Sequence, residues 1–253
     1  MLRSLRSLER FAVDATDGAL GSVVNFLFDD ERWTIRYLVV ETGSFFKRRR
    51  VLVSPLSFRS VRHDGSRIEI ALTRAQIQGS PGVDVDLPVS RQHEADYYQN
   101  YEPERGGDPG QMVGDVHLRS AEELRGYNVH GTDERIGAVI DFLVDDATWA
   151  IRYLVVDTGH FGWGKKVLLA PQWATRISFD LRQVFVGVAR DVVYTSPPWD
   201  ETAALDRAYE ERLHGHYQRA RYWSVDKGLG TRQQRPQSAA VQPGETKSAC
   251  RPP

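Results

Sequence analysis

The chain has 253 residues, 41% apolar and 10% aromatic, with a formal charge of −1, so it carries enough apolar material for one large core or two ordinary ones. These values exclude a wholly disordered chain, a collagen and a strongly basic nucleic-acid coat. No aliphatic string approaches the roughly 20 residues of a membrane helix, Met1 to Arg6 lack the apolar block of a secretory signal, and the single cysteine, Cys250, has no internal partner, which fits a reducing, cytoplasmic compartment.

In chain order, Leu2, Leu5 and Leu8 alternate with Arg3, Arg6 and Arg10 in an amphipathic start too short to anchor in a membrane. Val23 to Asp29 and Ile35 to Glu41 are rich in β-branched and aromatic residues, and they flank an Asp29-Asp30 turn, which predicts a hairpin. Arg49 to Ser54, Phe58 to His63 and Arg67 to Leu72 continue the strand pattern, with Asp64-Gly65 as a two-residue turn. Ile68, Ile70 and Leu72 alternate with polar residues, as a half-buried strand requires. After Ser80-Pro81, Val89, His93, Tyr97 and Tyr101 recur at four-residue steps, a helical spacing. Pro103 to Gly114, rich in Gly and charge, is the expected linker.

The pattern then repeats. Phe26-Leu27-Phe28-Asp29-Asp30 and Trp33-Thr34-Ile35-Arg36-Tyr37-Leu38-Val39-Val40 return as Phe142-Leu143-Val144-Asp145-Asp146 and Trp149-Ala150-Ile151-Arg152-Tyr153-Leu154-Val155-Val156, at an offset of 116. The offset also holds for Gly21 and Gly137, Pro55 and Pro171, Arg74 and Arg190, and Tyr101 and Tyr217. Val184 to Val188 is apolar throughout, which predicts a strand covered on both faces. After Ser196-Pro197, Leu205, Ala208, Tyr209, Arg212 and Leu213 follow helical spacing, with Asp200 as the expected start signal. From Gln218 onward seven Lys and Arg oppose two Asp and Glu, so this end is +5 and the remainder −6. Its Gly, Gln, Ser and Pro content predicts disorder.

The expected fold is therefore mainly β: two tandem small antiparallel barrels, each followed by a short helix, with a disordered basic tail. The divisions are 1–102 for the first unit, 103–115 for the linker, 116–223 for the second unit and 224–253 for the tail. Either the two units pack together as a pseudo-symmetric pair, or they remain separate and gain avidity by tethering.

The run Phe-Leu-x-Asp-Asp-x-x-Trp-x-Ile-Arg-Tyr-Leu-Val-Val-x-Thr-Gly, present twice, resembles the PRC-barrel family. That family includes the cytoplasmic domain of the photosynthetic reaction-centre H subunit and the C-terminal domain of the ribosome maturation factor RimM. The resemblance extends to the stand-alone tandem members of bacteria through Arg221-Tyr222-Trp223. It implies a β-barrel used for contact with other macromolecules, without a common catalytic residue set, and no cofactor. The leading expectation is a non-enzymatic interaction or scaffold protein whose partner is another protein. The alternatives are an H-subunit-like accessory peripheral to a membrane complex, and an RNA- or ribosome-associated module.

Asp29-Asp30 and Asp145-Asp146 have the chemistry of a cation site, but they fall where a turn is predicted, and turn capping is the expected role. Arg36 and Arg152, mid-strand beside Trp33 and Trp149, are expected in structural ion pairs or aromatic stacking. His214-Gly215-His216 lacks further ligands at zinc spacing and is expected as a helix end. The loop after each Thr-Gly places aromatics beside cations: Phe45, Phe46, Lys47, Arg48 and Arg49 in the first unit, and Trp163, Lys165 and Lys166 in the second. These eight are the candidate partner contacts, suited to an anionic partner, as is the basic tail.

Overall fold

A computed structural model describes residues 1–43, 48–62, 64–78, 117–159, 164–203 and 205–224. The predicted helix after Ser80-Pro81, the linker and the tail beyond Ser224 lie outside these residues. The first unit contains β1 (Leu2–Ser4), α1 (Leu5–Leu8), β2 (Ala12–Ala15), β3 (Gly18–Asp29), β4 (Thr34–Thr42), β5 (Arg49–Val53), β6 (Phe58–Arg62), β7 (Arg67–Ile70) and α2 (Arg74–Gln78). The second contains β8 (Leu118–Ser120), α3 (Ala121–Leu124), β9 (Asn128–His130), β10 (Arg135–Asp145), β11 (Ile151–Asp157), β12 (Lys166–Leu169), β13 (Ala174–Ser178), β14 (Gln183–Val186), α4 (Arg190–Thr195) and α5 (Arg207–His216). No helix among the described residues is long and apolar enough to cross a membrane.

Both sheets have the same order, β5-β4-β3-β2-β7-β6 and β12-β11-β10-β9-β14-β13. They fold as two tandem barrels, with two departures from the expected pattern. Each contains one parallel pair, β2 with β7 and β14 with β9. These strands are not neighbours in sequence, so no tight turn fixes their sense, and sequence periodicity does not encode it. The end strands β5 and β6, like β12 and β13, also lack a mutual pairing that would close the ring. Bulges between Val23 and Asn25 and between Leu27 and Phe28 bend β3 around the core.

Gly21 and Gly137 permit this curvature. A Cβ at either site would lie 2.0 Å from the carbonyl oxygen of Glu41 or Asp157, respectively. Only glycine allows the long hairpins to cross so closely.

The lead strands cross over. β1 pairs with β10 of the second sheet, Leu2 opposite Asp145 and Ser4 opposite Leu143. β8 pairs with β3 of the first, Leu118 opposite Asp29 and Ser120 opposite Leu27. Each exchanged strand therefore occupies the equivalent place in the other barrel. Leu118 joins Leu27, Tyr37, Val39 and Leu52 in a small apolar cluster of the first unit. Between the units, Thr34 forms a bridge with Ala150, Ile35 N–H donates to Trp149 O at 2.8 Å, and Ile151 N–H donates to Trp33 O at 2.7 Å. The main core is continuous, with Leu5, Phe26, Phe28 and Trp33 in the same buried cluster as Phe142, Val144, Trp149 and Leu213.

Trp33 and Trp149 are buried and hold φ of +53° and +58°. A bulky side chain is an outlier in the left-handed region. Each is held there by its N–H, which donates at 2.7 Å to Asp29 O or Asp145 O. In the second unit α5 begins at Asp206, whose carboxylate accepts from Tyr209 N–H at 2.7 Å. The expected start signal, Asp200, instead closes a turn, accepting from the Thr202 N–H and hydroxyl.

Candidate protein-contact surfaces

The paired carboxylates serve turns and the strand exchange. Asp29 accepts from the N–H groups of Glu31 and Arg32, at 3.0 and 2.8 Å, and Asp145 accepts from Ala147 N–H and the Thr148 hydroxyl. Their neighbours point at the borrowed strands. Asp30 accepts from Arg119 Nε and Asp146 from Arg3 Nε, each at 2.9 Å. Burial alone would raise the Asp146 carboxyl, but its charged hydrogen bonds, Arg3 among them, hold it below the usual carboxylate range. No three His, Cys, Asp or Glu side chains form a metal-binding group among the described residues. Arg36 and Arg152 lie 3.9 and 3.8 Å from Asp29 and Asp145, and Arg152 also covers the Tyr222 ring at 4.2 Å.

Of the eight candidate loop contacts, Phe45, Phe46, Lys47 and Trp163 lie outside the described residues. Arg48 pairs with Glu41 at 3.2 Å. Arg49 begins β5 opposite Thr42. Lys165 Nζ donates to Tyr194 O at 3.0 Å and also to Ser196 O, so it neutralises the carbonyl end of α4. Lys166 pairs with Glu201 at 2.9 Å. The structure thus gathers Lys165 and Lys166 at the base of the second barrel's loop, both engaged with the segment after β14.

A buried polar cluster between α5 and β11 was not evident from sequence. Glu210, 3% exposed, accepts at Oε1 from the hydroxyls of Tyr153 and Tyr222, at 2.9 and 2.8 Å. Its Oε2 pairs with Arg207 at 2.9 Å. His214 donates through Nδ1 to Ala220 O at 2.9 Å, and its Nε2 lies 3.0 Å from the Tyr153 hydroxyl, whose proton is shared between Nε2 and Glu210. Burial, and then the Glu210 charge, push the Tyr153 phenol well above its ordinary range, while burial and the Glu210 hydrogen bond push Tyr222 up to about 12. Burial lowers His214, so the neutral imidazole is the folded form, and its contribution to stability weakens as pH falls through the unfolded value of about 6.5. These groups partner one another inside the fold, and the cluster anchors the trailing helix.

The outer faces of the two barrels have diverged. In the second, Arg135, His130, Phe185 and Arg176 are successive cross-strand partners on β10, β9, β14 and β13. The His130 and Phe185 rings lie 5.6 Å apart, and the Arg176 guanidinium covers Phe185 at 4.4 Å. Arg135 and Arg176 are exposed, and no carboxylate among the described residues pairs with either. The equivalent row of the first barrel is Ala19, Asp14, Glu69 and Ser60. There Arg67 neutralises Asp14 at 2.6 Å, and Arg62 neutralises Glu69 at 3.0 Å. One face is internally compensated and the other cationic and aromatic. The predicted two-sided burial of Val184 to Val188 is corrected here: Val184 and Val186 are buried, but Phe185 points outward. An apolar outward residue beside cations hides this face from a hydropathy reading. His130 and Arg176 come beside Phe185 only through cross-strand pairing, which the sequence pattern does not encode.

Residues 117–195 match the PRC-barrel domain family. No curated protein matches the chain. The match spans the second barrel from β8 to the end of α4, and the first barrel repeats its strand order. Residues 117–195, the second barrel, are therefore a PRC-barrel domain.

Proposed function

We propose that this protein is a non-enzymatic interaction and scaffold module whose partner is another protein carrying an acidic segment. The observation that supports the reading is the PRC-barrel match over 117–195, a family whose resemblance implies contact with other macromolecules. The contact surfaces are the outer row Arg135, His130, Phe185 and Arg176, and the cations at the loop bases, Arg48, Arg49, Lys165 and Lys166. Carboxylates would pair with the guanidinium groups, while an apolar or aromatic side chain packs on Phe185. The few cations in the row and the acidic charge of the rest of the chain favour a short acidic protein segment over a polyphosphate backbone, which needs many contacts.

Capture by the tagged full-length chain from its native cell extract tests this reading. Arg135→Ser with Arg176→Ser, or Lys47→Ser with Arg48→Ser and Arg49→Ser, should reduce the retained protein at least fivefold. Stability should change by no more than about 0.5 kcal/mol for each of the exposed sites Arg135, Arg176 and Arg48. Undiminished capture by both variants would overturn the assignment.

A further inference from the structure

Residues separated by 116 meet one another at the junction, as symmetry-related residues do on the axis of a twofold dimer. Thr34 bridges Ala150, and Trp33 and Trp149 each accept a hydrogen bond from the opposite unit. A third such pair is charged. Glu9 and Arg125 occupy equivalent positions and face each other, with Arg125 Nη1 2.5 Å from Glu9 Oε1 and side-chain exposures of only 15% for Arg125 and 22% for Glu9. Arg125 Nη2 lies 3.8 Å from Asp141, whose equivalent in the first barrel is the neutral Asn25. Nε and Nη2 of Arg125 are buried without a hydrogen bond to the protein, so its charge relies on these two carboxylates.

We propose that the Glu9–Arg125 contact makes the exchange face of each barrel selective for the other barrel over a second copy of itself. Pairing two first barrels in this geometry would bring Glu9 against Glu9, with only Asn25 on either side. Pairing two second barrels would bring Arg125 against Arg125, each compensated only by its own Asp141. Like charges facing each other in a partly buried contact disfavour the wrong partner more than the correct pair favours the right one. The strand exchange alone does not discriminate, because β1 and β8 carry the same Leu-Arg-Ser sequence and make the same register. The charged pair breaks that degeneracy, and the first-barrel homodimer is the most strongly excluded species.

The test uses the folded full chain cut at a protease site engineered between Pro109 and Gly110. The fragments are separated in denaturant, remixed at equal molarity and counted by native mass spectrometry. In the wild type, mixed complexes should exceed the two homodimers more than tenfold. Glu9→Gln with Arg125→Gln should bring the distribution within about threefold of statistical, whereas the charge exchange Glu9→Arg with Arg125→Glu should retain the wild-type preference. A statistical wild-type mixture, or unchanged selectivity in the Gln pair, overturns the proposal. Should the fragments fail to refold, the uncut chain provides the second measurement. Glu9→Arg and Arg125→Glu should each lower Tm, and the double variant should recover part of the loss, because Asp141 still faces position 125. Additive losses overturn the proposal.

Discussion

Trp149→Ala is expected to lower stability by about 3–5 kcal/mol, the range for truncating a buried aromatic residue. The indole fills the junction of the barrels, packed edge-on against Phe58 at 5.2 Å, and its carbonyl accepts the Ile35 N–H across that junction. The backbone adds a second, opposing expectation. At φ of +58°, alanine retains the left-handed penalty of an L-residue, about 1–2 kcal/mol, which glycine escapes. Part of that gain is offset by the greater entropy glycine loses on folding. Trp149→Gly should therefore be less destabilising than Trp149→Ala by about 0.5–1 kcal/mol, by combination of these effects. Urea unfolding of both variants measures the difference. A glycine variant weaker than the alanine variant would contradict the strain at this turn.

Glu210→Ala should cost about 3 kcal/mol, because it removes the charged acceptor of two tyrosine hydroxyls in a buried site. Arg207 reaches solvent and can hydrate, so its loss of partner contributes little. Tyr153 and Tyr222 are packed around His214, with the His214 ring 5.1 Å from Trp223 and 5.4 Å from Trp173. Loosening this cluster should release α5 and shift tryptophan emission to longer wavelength. Glu210→Gln keeps an acceptor and should cost about half as much, at neutral-acceptor strength. Denaturation followed by fluorescence tests both. A cost below about 1 kcal/mol for the alanine variant would mean that the cluster does not hold the helix, since loss of even one typical hydrogen bond accounts for that much.

Local patterns in the chain revealed much of this architecture. The alternation through Ile68 and Ile70 and the β-branched runs on either side of Asp29-Asp30 correspond to observed strands, because side-chain period and turn chemistry are local properties. Arg36 and Arg152 entered the expected ion pairs for the same reason: their carboxylates lie across the adjacent hairpin. What sequence did not disclose depends on distant partners. The parallel β2–β7 pairing joins strands with no connecting turn, and the crossing of β1 and β8 exchanges nearly identical segments, so local pattern cannot distinguish own from opposite barrel. Asp200 and Asp206 are both plausible caps six residues apart, and tertiary packing of Leu213 and Glu210 selects the second. His214 does lie in the last turn of α5, as expected, but its place in the buried cluster depends on Tyr153, 61 positions earlier.

The most direct test of this architecture is to cut the folded chain at the engineered site between Pro109 and Gly110, without denaturant, and measure the product by size-exclusion chromatography with light scattering. Reciprocal exchange of β1 and β8, with a core shared between the barrels, predicts that the two fragments elute together at the mass of the uncut chain. Separate elution as two folded fragments would contradict it.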